Sequence, residues 1–147
     1  MTISSSDDLL QITRDARGVV TFTLNDPQRF NALGAEMLTA LQQALDDVGR
    51  DESVRVVVLA AAGKAFCAGH NLKDRAANPD LAYYQKLFAQ CSRMMLTIHK
   101  LSVPVIARVQ GMATAAGCQL VAQCDLAVAA DTASFATSGI HYGLFCA

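Results

Sequence analysis

The chain has 147 residues, of which 52% are hydrophobic and 17% charged, and its 12 Lys and Arg against 13 Asp and Glu give a formal net charge of −1. This apolar composition excludes a disordered chain, and the balanced charge excludes bulk electrostatic binding to nucleic acid or to a membrane surface. The surplus of small apolar residues predicts more buried surface than one small domain usually carries, and therefore partner subunits or more chain.

Targeting signals are weak at the start of the chain. Residues 1–8 carry neither a basic n-region with an apolar segment nor an Arg-rich amphipathic pattern, so the expected location is cytoplasmic. The most apolar stretch, residues 54–62, contains Arg55 and is far shorter than the roughly 20 residues that cross a bilayer. No membrane span is predicted.

The cysteines number five and form no C-x-x-C pair, which favours neither a disulfide framework nor a zinc site. We expect reduced thiols that pack as small hydrophobes, and no metal. The residues are Cys67, Cys91, Cys118, Cys124 and Cys146.

The first half of the chain predicts a hairpin, a helix and a buried strand. Residues 10–14 and 18–25 form the two arms of the hairpin, since apolar and polar residues alternate in the second arm. Apolar residues at helical spacing predict a helix from Leu33 to near Gly49. The β-branched run at 54–60 predicts a buried strand.

The same order of helix and strand returns twice. Residues 81–98 predict a long helix followed by a strand at 104–109, and residues 114–122 predict a small-residue helix followed by a strand at 125–130. Apolar strands that alternate with helices indicate parallel sheets covered on their faces, and no linker divides the chain.

Two predicted loops, 63–73 and 110–119, each follow a buried strand and are rich in Gly and Ala. Ligand sites of α/β proteins form at the carboxyl ends of such strands, and two such turns can aim two N–H groups at one developing negative oxygen. Close packing alone also explains small residues in turns, and the spacing does not decide between these interpretations. No G-x-G-x-x-G, P-loop or G-x-S-x-G motif is present.

Three histidines are candidates for chemistry. His70 lies inside the first loop, where its context favours a function. His99 falls in the last turn of a predicted helix, which indicates a capping or surface residue, and His141 has no recognisable partner in the sequence.

The segments 65–73 and 111–125, with 27–33 upstream, resemble the enoyl-CoA hydratase/isomerase (crotonase) superfamily, and their pattern is closest to the branch of enoyl-CoA hydratase domain-containing protein 3. The resemblance runs from about residue 9 to the last residue. It implies an α/β fold, a crotonase-like spiral of repeated ββα units with parallel sheets. Because members of the superfamily are usually longer, we expect residues 1–147 to be a single core domain truncated on its C-terminal side.

The resemblance also implies a ligand and a site. The family binds acyl-CoA thioesters and polarises the thioester carbonyl with two backbone N–H groups, which correspond to those of His70 and Ala116. No separate cofactor is expected because coenzyme A is part of the substrate, and the expected assembly is a homotrimer or a dimer of trimers. The predicted coenzyme A contacts are Arg29, Ala32, Ala68, His70, Asn71, Leu72 and Ala116.

The chain departs from the family at two positions. Where the hydratases carry two glutamates, it has Gln119 and Gly139, which neither accept nor deliver a proton near neutral pH. Ordinary hydration is therefore not expected. Gln119 either orients a water or the acyl group or is an ordinary helix residue, and by position alone His70, His141 and Tyr142 are candidates for proton transfer.

Two functions remain open on the sequence. One is an acyl-CoA-binding enzyme of fatty acid metabolism, a lyase or isomerase that stabilises a thioester enolate with Gln119 nearby. The other is a catalytically silent acyl-CoA-binding or assembly subunit. If the domain is truncated, we expect uncovered apolar faces at Leu126, Val128, Leu144 and Phe145.

Overall fold

The computed structural model describes residues 9–73 and 80–142, and the elements that lie wholly within these ranges include eight strands and three α-helices. The strands are β1 (Leu10–Arg14), β2 (Val19–Leu24), β3 (Val56–Ala61), β4 (Ala65–Cys67), β5 (Val105–Val109), β6 (Met112–Thr114), β7 (Leu126–Ala129) and β8 (Ser134–Ala136). The helices are α1 (Ala35–Arg50), α2 (Leu81–Lys100) and α3 (Ala116–Gln123), with short 3₁₀ turns at Pro27–Arg29 and Ser138–Tyr142.

The strands form two sheets. The large sheet has the order β1-β2-β3-β5-β7, in which only β1 is antiparallel to its neighbour, and the small sheet has the parallel order β4-β6-β8. The repeats β3-β4-α2 and β5-β6-α3 each supply one strand to each sheet before the helix, whereas β1 and β2 both join the large sheet before α1. This confirms the predicted α/β class with repeated ββα units and parallel sheets.

The core lies between the large sheet and the helices α1 and α2. Strand β2 buries every second side chain, and the buried residues of the two helices belong to the same hydrophobic cluster. Full burial of one such side chain is worth about 1.5–3 kcal/mol. The largest fully buried side chains include Phe22, Leu24, Leu33, Met37, Leu38, Leu41, Leu59 and Met94.

The small sheet corrects the two predicted loops. β4 lies inside 63–73 and β6 inside 110–119, and strands of three residues are too short to show a hydrophobic period. The third helix begins at Ala116, two residues later than predicted, because Ala115 (φ 51°, ψ −125°) is outside the helical region. The first helix likewise begins at Ala35, after Gly34 in an extended conformation.

Four of the cysteines are free thiols in the interior or at its margin. Cys67 and Cys91 are buried, and Cys118 and Cys124 are half-buried. Burial raises the pKa of Cys67 to about 12 and that of Cys91 to about 11, so both stay protonated at neutral pH. The prediction of reduced, packed thiols is confirmed for these four, and Cys146 lies outside the described residues.

Strand β7 forms the open margin of the large sheet and is exposed along its whole length. Leu126 and Val128 are 61% and 65% exposed. Leu144 and Phe145 lie outside the described residues. Within 9–73 and 80–142, none of the helices combines the length and hydropathy that a membrane span requires.

Candidate active site

Three chain segments meet at the carboxyl edge of the small sheet. Because β4, β6 and β8 are parallel, their last residues, Cys67, Thr114 and Ala136, lie at the same edge. The Ala115 N–H donates to the Ala136 carbonyl at 2.8 Å, which holds the residues after β6 against the end of β8. The two predicted loops therefore continue side by side from neighbouring strands.

Two glycines allow the backbones at this edge to approach closely. Gly69 has φ +84°, and a Cβ there would lie 3.0 Å from the Ala116 nitrogen. A Cβ at Gly117 would lie 2.2 Å from the Cys67 carbonyl oxygen, a distance that no side chain permits. The first turn of α3 consequently packs directly on the backbone of β4 and of the loop that follows it.

The direction of the His70 N–H is set by the peptide that contains it. The Leu33 N–H donates to the Gly69 carbonyl at 2.8 Å. Since the N–H and C=O of a trans peptide point in opposite directions, the N–H of His70 points away from Leu33.

The Ala116 N–H is directed by the start of helix α3. The Ala115 carbonyl accepts hydrogen bonds from the N–H groups of Cys118 (3.0 Å) and Gln119 (3.1 Å), so it points along the helix. The N–H of Ala116, in the same peptide, points out of the amino end, where the helix dipole is positive. Ala115 holds this peptide at positive φ, a conformation that costs an alanine roughly 1–3 kcal/mol.

The upstream turn is fixed to the same edge by Asn31, which is fully buried. Its Nδ2 donates to the carbonyls of Ala62 (2.8 Å) and Ala65 (2.9 Å), and its Oδ1 accepts the Asp26 N–H (2.8 Å). The Ala68 N–H also donates to the Phe30 carbonyl at 3.0 Å. These bonds join the 26–33 segment to the loop after β4.

A cleft of about 250 Å³ opens beside this junction, and Arg29, Ala32 and Asn71 are among the residues that line it. The Arg29 guanidinium is held by the Asp26 carboxylate at 2.7 Å while its side chain remains 56% exposed. The structure thus brings three of the predicted coenzyme A contacts to one cleft. Ala68 is half-buried next to them, and Leu72 is exposed.

The imidazole of His70 lies on the Leu33 side of its own peptide. Nδ1 is 3.2 Å from the Leu33 carbonyl oxygen, and because a carbonyl only accepts, Nδ1 must carry the proton. The ring also meets Phe88 of α2 edge to face, with 5.2 Å between ring centroids. The imidazole of His70 therefore contacts Leu33, whereas the backbone N–H of His70 points away from Leu33.

The two positions that depart from the hydratases flank this edge. Gln119 is exposed and lies one turn after Ala116 on the same face of α3, and Gly139 is buried in the turn after β8. A hydroxyl pair that no motif indicated, Thr114 Oγ1 and Ser138 Oγ, lies 2.8 Å apart beside them. The side chains of His141 and Tyr142 lie outside the described residues.

Comparison with known proteins finds one family over nearly all of the chain. The sequence profile described as Enoyl-CoA hydratase/isomerase matches residues 14–147. Enoyl-CoA hydratase domain-containing protein 3, mitochondrial, of Xenopus laevis is 44% identical over 93% of this chain and 47% of its own length. The 1,2-epoxyphenylacetyl-CoA isomerase of Escherichia coli is 37% identical over 87% of this chain and 50% of its own length.

Solved structures agree. A crystal structure of enoyl-CoA hydratase from Mycobacterium smegmatis is similar with a TM-score of 0.94 and 63% identity, over 96% of this chain and 55% of that one. The human enoyl-CoA hydratase domain-containing protein 3 gives a TM-score of 0.89 and 40% identity, over 95% of this chain and 55% of that one. The chain spans about half the length of the curated relatives it matches. The predicted resemblance, its branch and the crotonase-like spiral are confirmed.

The expectation of a cytoplasmic location is wrong by the same comparison. The relatives from Xenopus laevis, Mus musculus and Homo sapiens are named as mitochondrial proteins. The expectation depended on the absence of a targeting pattern in eight residues. The motifs that identify the fold are physically separate from the signals that direct a protein to an organelle. They therefore gave no support to the expectation of a cytoplasmic location.

Proposed function

The chain belongs to the enoyl-CoA hydratase/isomerase family, and we propose that the protein is an acyl-CoA-binding enzyme of this type that stabilises a thioester enolate with the N–H groups of His70 and Ala116. One observation carries the proposal. The Gly69–His70 and Ala115–Ala116 peptides approach so closely that a Cβ on Gly69 would lie 3.0 Å from the Ala116 nitrogen, and hydrogen bonds fix the direction of both peptides.

Such a pair of donors suits chemistry in which negative charge develops on a carbonyl oxygen. Loss of a proton next to a thioester moves charge onto that oxygen, and fixed donors 2.7–3.1 Å from it lower the barrier. Each donor is worth about 10²–10³-fold in kcat. The positive end of α3 adds to the effect at Ala116.

The cleft beside the site suits the coenzyme A part of the ligand. Arg29 offers a guanidinium already oriented by Asp26, and Ala32 and Ala68 leave the main chain accessible. Asn71 lines the cleft, while the exposed Leu72 offers apolar surface to the pantetheine arm. We propose that these residues bind the acyl-CoA thioester, that no further cofactor takes part, and that the protein works as a homotrimer or a dimer of trimers.

The net reaction is proposed to differ from ordinary hydration. Gln119 and Gly139 supply no acid or base, whereas a positioned acid or base is typically worth 10²–10⁴-fold. Gln119 lies on the Ala116 face of α3, from which its amide can orient a water or the acyl group. The same two residues favour the second candidate function, a catalytically silent acyl-CoA-binding subunit.

Infrared spectroscopy of a bound acyl-CoA labelled with ¹³C at the thioester carbonyl tests the site without requiring turnover. Donation from two N–H groups should shift the carbonyl band of the full-length protein's complex to lower frequency. Replacing the Ala116 amide by an ester, through incorporation of lactic acid, removes that N–H and should reduce the shift. The corresponding ester at Leu81, the first residue of α2, is the control.

The outcomes separate the candidates. A shifted band with turnover of crotonyl-CoA or another acyl-CoA supports the enzyme, and a shifted band without turnover of any tested thioester supports the silent subunit. An acyl-CoA that does not bind, or a band that the Ala116 ester leaves unchanged, overturns the proposal.

A further inference from the structure

We infer that His70 is a positioning residue. Its imidazole binds the Leu33 carbonyl and thereby holds the N–H of its own peptide toward the thioester oxygen. The inference rests on the proposed function and gives the side chain a role other than proton transfer. His70 then supplies the N–H donor through its backbone and orients that donor through its side chain.

Leu33 holds the Gly69–His70 segment at two points. Its N–H donates to the Gly69 carbonyl at 2.8 Å, and its carbonyl accepts from His70 Nδ1 at 3.2 Å. Leu33 has no exposed surface, so its backbone is anchored by a side chain fully packed in the core. The contact with the Phe88 ring, 5.2 Å between centroids, limits the rotation of the imidazole.

A second point of attachment matters because Gly69 precedes the donor. Gly69 stands at φ +84°, and glycine adopts positive and negative φ with nearly equal ease. Gly69 itself therefore adds little restraint to the peptide that it shares with His70. Rotation of that peptide would break the bond from the Leu33 N–H and turn the His70 N–H from the edge shared with Ala116. The hydrogen bond from the His70 side chain to the Leu33 carbonyl restrains this rotation at the His70 end of the peptide.

The geometry disfavours the ring as the proton-transfer group. Its Nδ1 donates to a carbonyl, and the ring contacts Leu33 and Phe88, whereas the N–H of the same residue points away from Leu33. The imidazole thus lies on the Leu33 side of its peptide, opposite to the direction of the His70 N–H.

Two variants at His70 distinguish a ring that acts through Nδ1 from a ring that acts through Nε2. Asparagine places an N–H donor close to the position of Nδ1, and glutamine places one close to that of Nε2. His70→Leu should lower kcat by up to about 10²–10³-fold and reduce the carbonyl shift, with little change in the Kd for coenzyme A. His70→Asn should restore both readouts, and His70→Gln should not. His99→Asn, on the exposed end of α2, is the matched control.

Several results would overturn the inference. If His70→Gln restores the band better than His70→Asn, the ring acts through Nε2. If His70→Leu keeps the full carbonyl shift while the Ala116 ester loses it, the imidazole does not position the donor and the proposed function stands. If neither change moves the band, the proposed function itself is wrong. Should His70→Leu fail to fold, the comparison of asparagine with glutamine still decides.

Discussion

The core of the large sheet and the carboxyl edge of the small sheet are built on opposite principles. Large side chains such as Phe22, Leu59 and Met94 fill the core, with 2% exposure or less. The edge is closed by backbone groups, because Gly69 and Gly117 leave no room for a Cβ. Removing carbon should therefore be costly in the core, and adding carbon should be costly at the edge.

The largest expected effect is loss of volume in the core. Phe22→Ala should lower the free energy of unfolding by about 3–5 kcal/mol, since it removes a ring that is 1% exposed and leaves a cavity. Chemical denaturation measures the loss. The surviving folded protein should bind acyl-CoA with unchanged Kd, because β2 does not reach the edge. A much weaker Kd would show that the two regions are not independent.

Asn31 lies where the two regions meet and should rank next. Asn31→Gly tolerates φ 53° but removes the three hydrogen bonds of a fully buried side-chain amide, for an expected cost of about 2–4 kcal/mol. Binding of acyl-CoA should weaken as well, because the turn that carries Arg29 loses its anchor. Denaturation and binding titrations check the two effects. A variant with normal stability and normal affinity would contradict this account.

Adding one methyl group gives the sharpest contrast. Gly117→Ala introduces a Cβ 2.2 Å from the Cys67 oxygen and should destabilise the protein by about 1–3 kcal/mol while weakening the carbonyl shift of a bound thioester. Gly49→Ala, in the exposed last turn of α1, places its Cβ 3.4 Å from Leu101 and should stabilise by up to about 1 kcal/mol. Thermal denaturation of both variants measures the signs. Equal effects would show that the edge accepts a Cβ as readily as an exposed helix turn does.

The sequence predicted the core region better than the edge. Periodic or continuously apolar segments predicted α1, α2 and the strands β2, β3, β5 and β7 within a few residues. One face of each of these elements is buried except in β7, which is exposed along its whole length. The strands β4 and β6 were predicted as loops, because three residues cannot establish a period.

Part of the geometry of the candidate site could be predicted from the sequence. The Gly-rich segments pointed to both loops, yet their side-by-side placement follows from the β4-β6 pairing, a long-range contact that local patterns do not encode. The bond between His70 and the Leu33 carbonyl and the contact between Thr114 and Ser138 are likewise tertiary. Asn31 and Ala115 both have positive φ, and nothing in the sequence besides the residue type indicates this backbone conformation.

The smallest expected effect lies at the exposed cluster of Arg14, Asp51 and Ser53, the charged corner, which is remote from both regions. The Ser53 hydroxyl and, second, the Arg14 guanidinium hold the pKa of Asp51 at about 2, below its ordinary value of 3.8. A lowered folded-state pKa stabilises the protein above the ordinary value, and that contribution is lost as pH falls through about 2. Because the carboxylate is exposed, solvent screens the interaction and the effect at neutral pH should be small.

Asp51→Asn should therefore flatten the fall in stability between about pH 4 and pH 2, as measured by the denaturation midpoint across that range. Asp47→Asn, at an exposed carboxylate near the end of α1 that pairs at 3.5 Å with Arg50, is the control for the loss of one negative charge. Neither variant should alter acyl-CoA binding, since the proposed site binds through backbone donors and Arg29. A change in Kd on Asp51→Asn would show that the corner and the site are coupled, against the separation of core and edge.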